Sequence, residues 1–121
     1  VIEVVLDTID RKAIQGMVHC SGGAQTKILH FIDQLHIIKD NLFDCPPVFE
    51  LIKNESGTDW KEMYEVFNMG HRMEIYLPES VAEKVIAISR SFNIDAQIVG
   101  RVEASSSRKL TISSQWGIFK Y

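Results

Sequence analysis

The run His19-Cys20-Ser21-Gly22-Gly23-Ala24 constrains the fold more than any other part of the chain, because an uncharged apolar stretch ends there and a helical pattern begins directly after it. Ile14, Met17 and Val18 lie in the uncharged segment 14–20, which suits a buried strand, and Gly16 lets another backbone come close. From Ala24 to about Leu35, Ile28, Phe31, Ile32 and Leu35 fall on one stripe, which predicts an amphipathic helix. The paired glycines between them mark a tight strand-to-helix turn. The first N–H groups of such a helix lack intrahelical acceptors and point outward with the positive end of the dipole, so they favour a phosphate or carboxylate. A glycine pair can also serve backbone geometry alone.

The remaining pattern alternates helices and strands. Ile2, Val5, Leu6 and Ile9 recur at helical intervals, residues 36–40 read as a short strand, and Pro46-Pro47 open a helix whose apolar stripe is Val48, Leu51 and Ile52. Ser56-Gly57 end that helix. Asp59 and Glu62 then cap another, with Trp60, Met63, Tyr64 and Phe67 on its stripe as core residues. Met73, Ile75 and Leu77 alternate with Glu74 and Tyr76 as in a half-buried strand. Ser80 and Glu83 have capping-box spacing for a helix that buries Val81, Val85, Ile88 and Phe92 and closes at Asn93. Strands within 96–103 and 110–112 are expected to pair as a hairpin across Ser105-Ser106-Ser107. The tail, with Trp116, Ile118, Phe119 and Tyr121, is too apolar for a solvated end and is expected to pack. With a strand-helix-strand crossover between 14 and 39, the expected class is α+β, an α/β sandwich in which a mixed β-sheet is covered by helices.

Composition narrows the function. With 121 residues and 45% hydrophobic content, a single domain, residues 1–121, is expected. A net charge of -3 and the lack of a basic run argue against nucleic acid or an anionic membrane as partner. No apolar run approaches the roughly 18 residues of a membrane span. Cys20 and Cys45 lack C-x-x-C spacing, so reduced thiols in a cytoplasmic protein are expected. The chain opens at Val1 inside a helical pattern without methionine, which suggests a domain excised from a longer protein.

Chemistry-bearing residues are few. Histidines 19, 30, 36 and 71 form no H-E-x-x-H pattern, no carboxylate cluster suits magnesium, and no metal site is expected. His30 reads as a surface residue. His19 stands at the carboxyl end of a strand, where α/β sheets bind ligands, and its imidazole can hydrogen-bond a phosphate or move a proton. Neither G-x-S-x-G nor G-x-x-x-x-G-K-[ST] is present, although Lys27 follows the glycines. A Ser–His or Cys–His nucleophilic pair is not implied by adjacency along a strand.

Three segments in order carry a resemblance: Gly16-Met17-Val18-His19-Cys20-Ser21-Gly22-Gly23, Pro46-Pro47-Val48-Phe49, and Glu62-Met63-Tyr64-Glu65-Val66-Phe67-Asn68-Met69-Gly70. Together they resemble the C-terminal domain of the aminoimidazole ribonucleotide synthetase family, the phosphoribosylformylglycinamidine cyclo-ligases, across nearly the whole chain to about Ile112. The resemblance implies the C-terminal domain of a two-domain purine-biosynthesis enzyme. That enzyme uses ATP and Mg²⁺ to activate an amide oxygen of formylglycinamidine ribonucleotide for ring closure to aminoimidazole ribonucleotide. It implies that an N-terminal ATP-binding domain holds the nucleotide and metal and supplies a homodimer contact. This domain would wall the ribonucleotide side of the cleft, with His19, Ser21, Gly22 and Gly23 in one loop and Asn68, Met69 and Gly70 beside it. Individual catalytic residues are not assigned. Two departures stand out: Ala24 replaces the family's usual third glycine, and Lys27-Ile28 replace a downstream asparagine. The alternatives are another superfamily member, such as formylglycinamidine ribonucleotide amidotransferase or selenophosphate synthetase, or a stand-alone phosphate-binding module without catalysis.

Overall fold

The computed structural model describes residues 1–121. In chain order the elements are α1 (Ile2–Thr8), a short 3₁₀ turn (Arg11–Ala13), β1 (Gly16–His19), a 3₁₀ helix (Ala24–His30), β2 (Leu35–Lys39), α2 (Pro47–Ser56), α3 (Trp60–Val66), β3 (Met73–Tyr76), α4 (Glu79–Ser91), β4 (Gly100–Ala104), β5 (Lys109–Ser114) and β6 (Gly117–Lys120). They group into two compact units, Val1–Val18 with Glu74–Ile98, and His19–Met73 with Val99–Tyr121.

In the first unit α1 packs on α4, and β1 pairs with β3 in a two-stranded sheet. Val5, Ile9, Val18 and Ile86 are buried, as the helical and strand patterns require. Three expectations need correction. The Ser80–Glu83 box does not form: Pro78 occupies the cap position with no side-chain hydrogen bond, its fixed φ already suited to a helix entry. Ile86 and Ser89 take the buried face of α4, whereas Phe92 is 49% exposed. Asn93 does close the helix, at φ +59, with its N–H on the Arg90 carbonyl and the Ile94 N–H on that of Ser89. In β3 it is Glu74 that is buried and Met73 that is exposed, the carboxylate accepting a 2.7 Å hydrogen bond from the Tyr76 hydroxyl.

The second unit is built on a four-stranded mixed sheet in the order β4-β2-β5-β6. The expected hairpin between β4 and β5 is absent because β2 lies between them, antiparallel to β4 and parallel to β5. β1 and β2 belong to different sheets, so the expected crossover does not connect neighbours in one sheet. The register puts Ile37 opposite both Val102 and Leu110, and Lys39 opposite both Gly100 and Ile112, so these residues share one face. Ile37, Lys39, Leu110 and Ile112 on that face are all buried. The 3₁₀ helix packs against α3 and β5.

The α2 entry at Pro46-Pro47 holds, and Gly57 ends the helix in the left-handed region. Its apolar stripe, however, is not a core face, because Val48 and Leu51 are 52% and 59% exposed. α3 starts where Asp59 caps the Glu62 N–H at 2.9 Å and buries Met63 and Tyr64. The tail packs as expected. β6 pairs antiparallel with β5, Trp116 stacks on Trp60 with ring centroids 3.7 Å apart, and the Tyr121 hydroxyl donates to the Lys61 carbonyl at 2.6 Å. Ile118 alone of the tail's expected packing residues is largely exposed. The fold is α+β with a mixed sheet, and no helix is long and apolar enough to cross a membrane.

Candidate functional site

The glycine turn departs from its expected geometry in one respect that matters. Gly22, Gly23 and Ala24 take φ values of +40, +87 and +45, three consecutive residues in the left-handed region. The chain leaves this curl as a seven-residue 3₁₀ helix instead of the longer α-helix expected, and Phe31, assigned to its buried stripe, is 68% exposed. A left-handed entry and the left-handed Gln34 at φ +49 leave room for only two tight turns before β2 begins. The helix dipole is correspondingly small. What remains for an anion is the curled backbone itself and a cation: Lys27 reaches back to place its ammonium 3.0 Å from the His19 carbonyl oxygen.

His19 and Ser21 are exposed, and the Ser21 hydroxyl lies 3.2 Å from His19 Nδ1. Residues two apart along an extended chain share a face, and the Ser21 N–H bonds the His19 carbonyl at 2.8 Å just past the end of β1, so the two side chains meet and the opposite-face argument does not apply to this pair. Thr26 ties the turn from the other side, donating from both its N–H and its hydroxyl to the Gly23 carbonyl.

The 68–70 turn is held as firmly. Asn68 Oδ1 accepts from the Gly70 N–H at 2.9 Å, and Met69, at φ +53, is buried. Gly70 has φ +94, and a Cβ there would lie only 3.0 Å from the Pro46 ring. Two of the sequence segments thus meet in space: the prolines that open α2 pack on the turn that follows α3. The 3₁₀ helix that follows the third reaches them through Gln25, whose amide Nε2 donates to the Asn68 carbonyl at 2.7 Å. The loop of residues 19–23 and the 68–70 turn are therefore neighbours, linked by one side chain that is fully buried.

Sequence reasoning missed Gln25 and Lys39. Lys39 is 1% exposed on β2, and its ammonium donates to both the backbone oxygen and Oε1 of Gln25, at 2.9 Å each. A lysine directly after Ile37-Ile38 in a short strand was the available signal. His71, also buried, accepts a 3.3 Å hydrogen bond at Nε2 from the Phe43 N–H and so serves the backbone. His36 bonds the Thr111 hydroxyl, and His30 is exposed as expected. Burial pushes the Cys45 thiol upward, reinforced by Glu50, the direction that disfavours a thiolate. No group of three or more His, Cys, Asp and Glu side chains could hold a metal ion. A polar cleft of about 310 Å³ between residues 40–44, Tyr64 and residues 113–115 contains none of the candidate residues.

The model of the family described as AIR synthase related protein, C-terminal domain, matches residues 1–113. Among proteins similar to this chain are two bearing the name phosphoribosylformylglycinamidine cyclo-ligase. The one from Methanocaldococcus jannaschii is 35% identical over 103 residues, 84% of this chain and 29% of that protein. The one from Methanopyrus kandleri is 32% identical over 102 residues, again 84% of this chain and 29% of that protein. The chain thus spans less than a third of the length of the curated relatives it matches. The matched span includes the glycine loop, the proline entry to α2 and the 68–70 turn, and the chain belongs to the AIR synthase related family as its C-terminal domain.

Proposed function

We propose that this chain is the ribonucleotide-side wall of an ATP-dependent cyclo-ligase that closes formylglycinamidine ribonucleotide to aminoimidazole ribonucleotide in purine biosynthesis. The observation that carries the proposal is the 2.7 Å hydrogen bond from Gln25 to the Asn68 carbonyl, which holds the residues just after the glycine loop beside the 68–70 turn. The cyclo-ligase names of the relatives favour this reading over an amidotransferase, a selenophosphate synthetase or a stand-alone phosphate-binding module.

In this proposal the chain's own residues bind and orient. The 22–24 curl offers backbone N–H groups to a substrate phosphate, Lys27 adds positive charge, and His19 with Ser21 donates hydrogen bonds at the exposed rim. Holding the substrate in a reactive pose is a large part of what phosphoryl transfer and ring closure ask of a protein. No group of side chains in this chain converges as a Mg²⁺ site, and the Walker pattern is missing from the sequence. ATP and Mg²⁺ belong, in the proposal, to an N-terminal ATP-binding domain of a cytoplasmic, homodimeric parent protein. Residues 1–121 alone are then catalytically silent, and ATP-dependent ring closure above a blank by the purified chain would contradict this.

The direct test is His19→Ala in the longer parent enzyme. Since His19 is exposed and supports no core contact, melting should be unchanged while KM for formylglycinamidine ribonucleotide rises about tenfold, the loss of one hydrogen bond to a charged group. An unchanged KM would remove His19 from the site.

A further inference from the structure

We infer that Lys39 is a positioning residue, whose buried ammonium orients Gln25 and through it fixes the 68–70 turn against the glycine loop. The inference deepens the functional reading above and rests on it for its catalytic consequence. Its basis is the direction of the hydrogen bonds. An ammonium can only donate, so Gln25 must turn Oε1 toward Lys39 Nζ, which leaves Nε2 to donate to Asn68. The Asn68 carbonyl can only accept, so the acceptor at one end of the amide and the cation at the other require the same orientation, and Lys39 holds the oxygen end in place. A second bond, from Nζ to the Gln25 backbone oxygen, anchors the first turn of the 3₁₀ helix to β2 at the same time.

Lys39 is also an expensive choice for its place. Its sheet neighbours across the register are Gly100 and Ile112, and Ile37 and Leu110 on the same face are buried. An apolar side chain would suit that face without the desolvation of a charge. The lysine therefore contributes specificity of arrangement: it ties β2, the glycine loop and the 68–70 turn into one strut, and the two loops that would touch the substrate move together or not at all.

Gln25→Glu separates positioning from mere stability, because the carboxylate still accepts from Lys39 but cannot donate to Asn68. Hydrogen exchange in the full chain should then show the Gly70 and His71 amides, both bonded to Asn68, exchanging about tenfold faster while Ile112 in β5 keeps its protection. In the parent enzyme KM should rise by a similar factor with kcat less affected. The double variant Lys39→Met/Gln25→Met removes the bond between the two side chains from both ends and guards against a misfolded single variant; it should keep the Ile112 protection and lose that of Gly70 and His71. Retained protection of Gly70 and His71 in either folded variant would overturn the inference. The exchange readout needs no turnover, so a parent protein inactive on formylglycinamidine ribonucleotide would count against the proposed function alone.

Discussion

Ala24 occupies a conformation that glycine adopts freely, and its neighbour Gly23 shows what that conformation demands. At Gly23, φ +87, an added Cβ would meet Lys27 at ordinary contact distance, so the cost of Gly23→Ala is backbone strain without a clash, about 1–2 kcal/mol by urea denaturation. Ala24→Gly relieves comparable strain but frees the unfolded chain and gives up a buried methyl, terms of roughly 0.5–1 and 0.8 kcal/mol, so its net effect should be near zero. A loss above about 1 kcal/mol for Ala24→Gly would mean that the methyl is more important than the strain. Gly100 differs from both: its φ is ordinary, yet a Cβ would land on the Ile38 carbonyl oxygen. Gly100→Ala should therefore cost about 3 kcal/mol, seen as a lower urea midpoint, by pushing β4 off β2. The glycine pair was legible in the sequence as a turn, because Gly-Gly between two patterns has few other uses. That Gly100 admits a backbone was not, since it fell within an alternating run and nothing in the run names the strand that approaches it.

Element boundaries set by local chemistry were readable: the Asp59 cap on α3, the Pro46-Pro47 entry to α2 and the left-handed stops at Gly57 and Asn93 all stand in the structure. Pairing was not. Alternation in β4 and β5 records which side chains share a face, and it is the same whether the two strands touch or β2 intervenes. The stripe of α2 misled for a similar reason, since period alone cannot say whether an apolar face has a partner. The tail was legible through its aromatics, and two outcomes follow from its docking. Trp116→Ala should cost about 2 kcal/mol, with a coupling near 1 kcal/mol to Trp60→Ala in a double-mutant cycle, as the parallel stack requires. Burial, reinforced by Glu65, holds the Tyr121 phenol well above its ordinary range. Its ionised form is thus disfavoured in the folded state, so stability is full below the unfolded pKa of about 10 and falls as pH rises beyond it. Tyr121→Phe should flatten that alkaline limb of the stability profile; an unchanged slope between roughly pH 9 and 12 would assign the limb to other groups.

At the scale of the molecule, sequence reading supplied the class, a mixed sheet with helices, and the set of segments that belong together. The chain groups into two compact units, each made from segments distant in sequence, and that grouping is not encoded in composition. The candidate site was legible as two motifs, because turns at element ends have recognisable residues. The strut between them was not, since Gln25 and Lys39 are ordinary in sequence and acquire their meaning only through burial. The central claim is that the 19–25 loop and the 68–70 turn form one ligand-binding surface. A titration of ¹⁵N-labelled chain with formylglycinamidine ribonucleotide tests it most directly. The account predicts saturable amide shifts at Ser21, Gly22, Gly23, Asn68 and Gly70 together, with β6 unmoved. Saturable shifts confined to the cleft at residues 40–44 and 113–115, with the glycine loop silent, would contradict it.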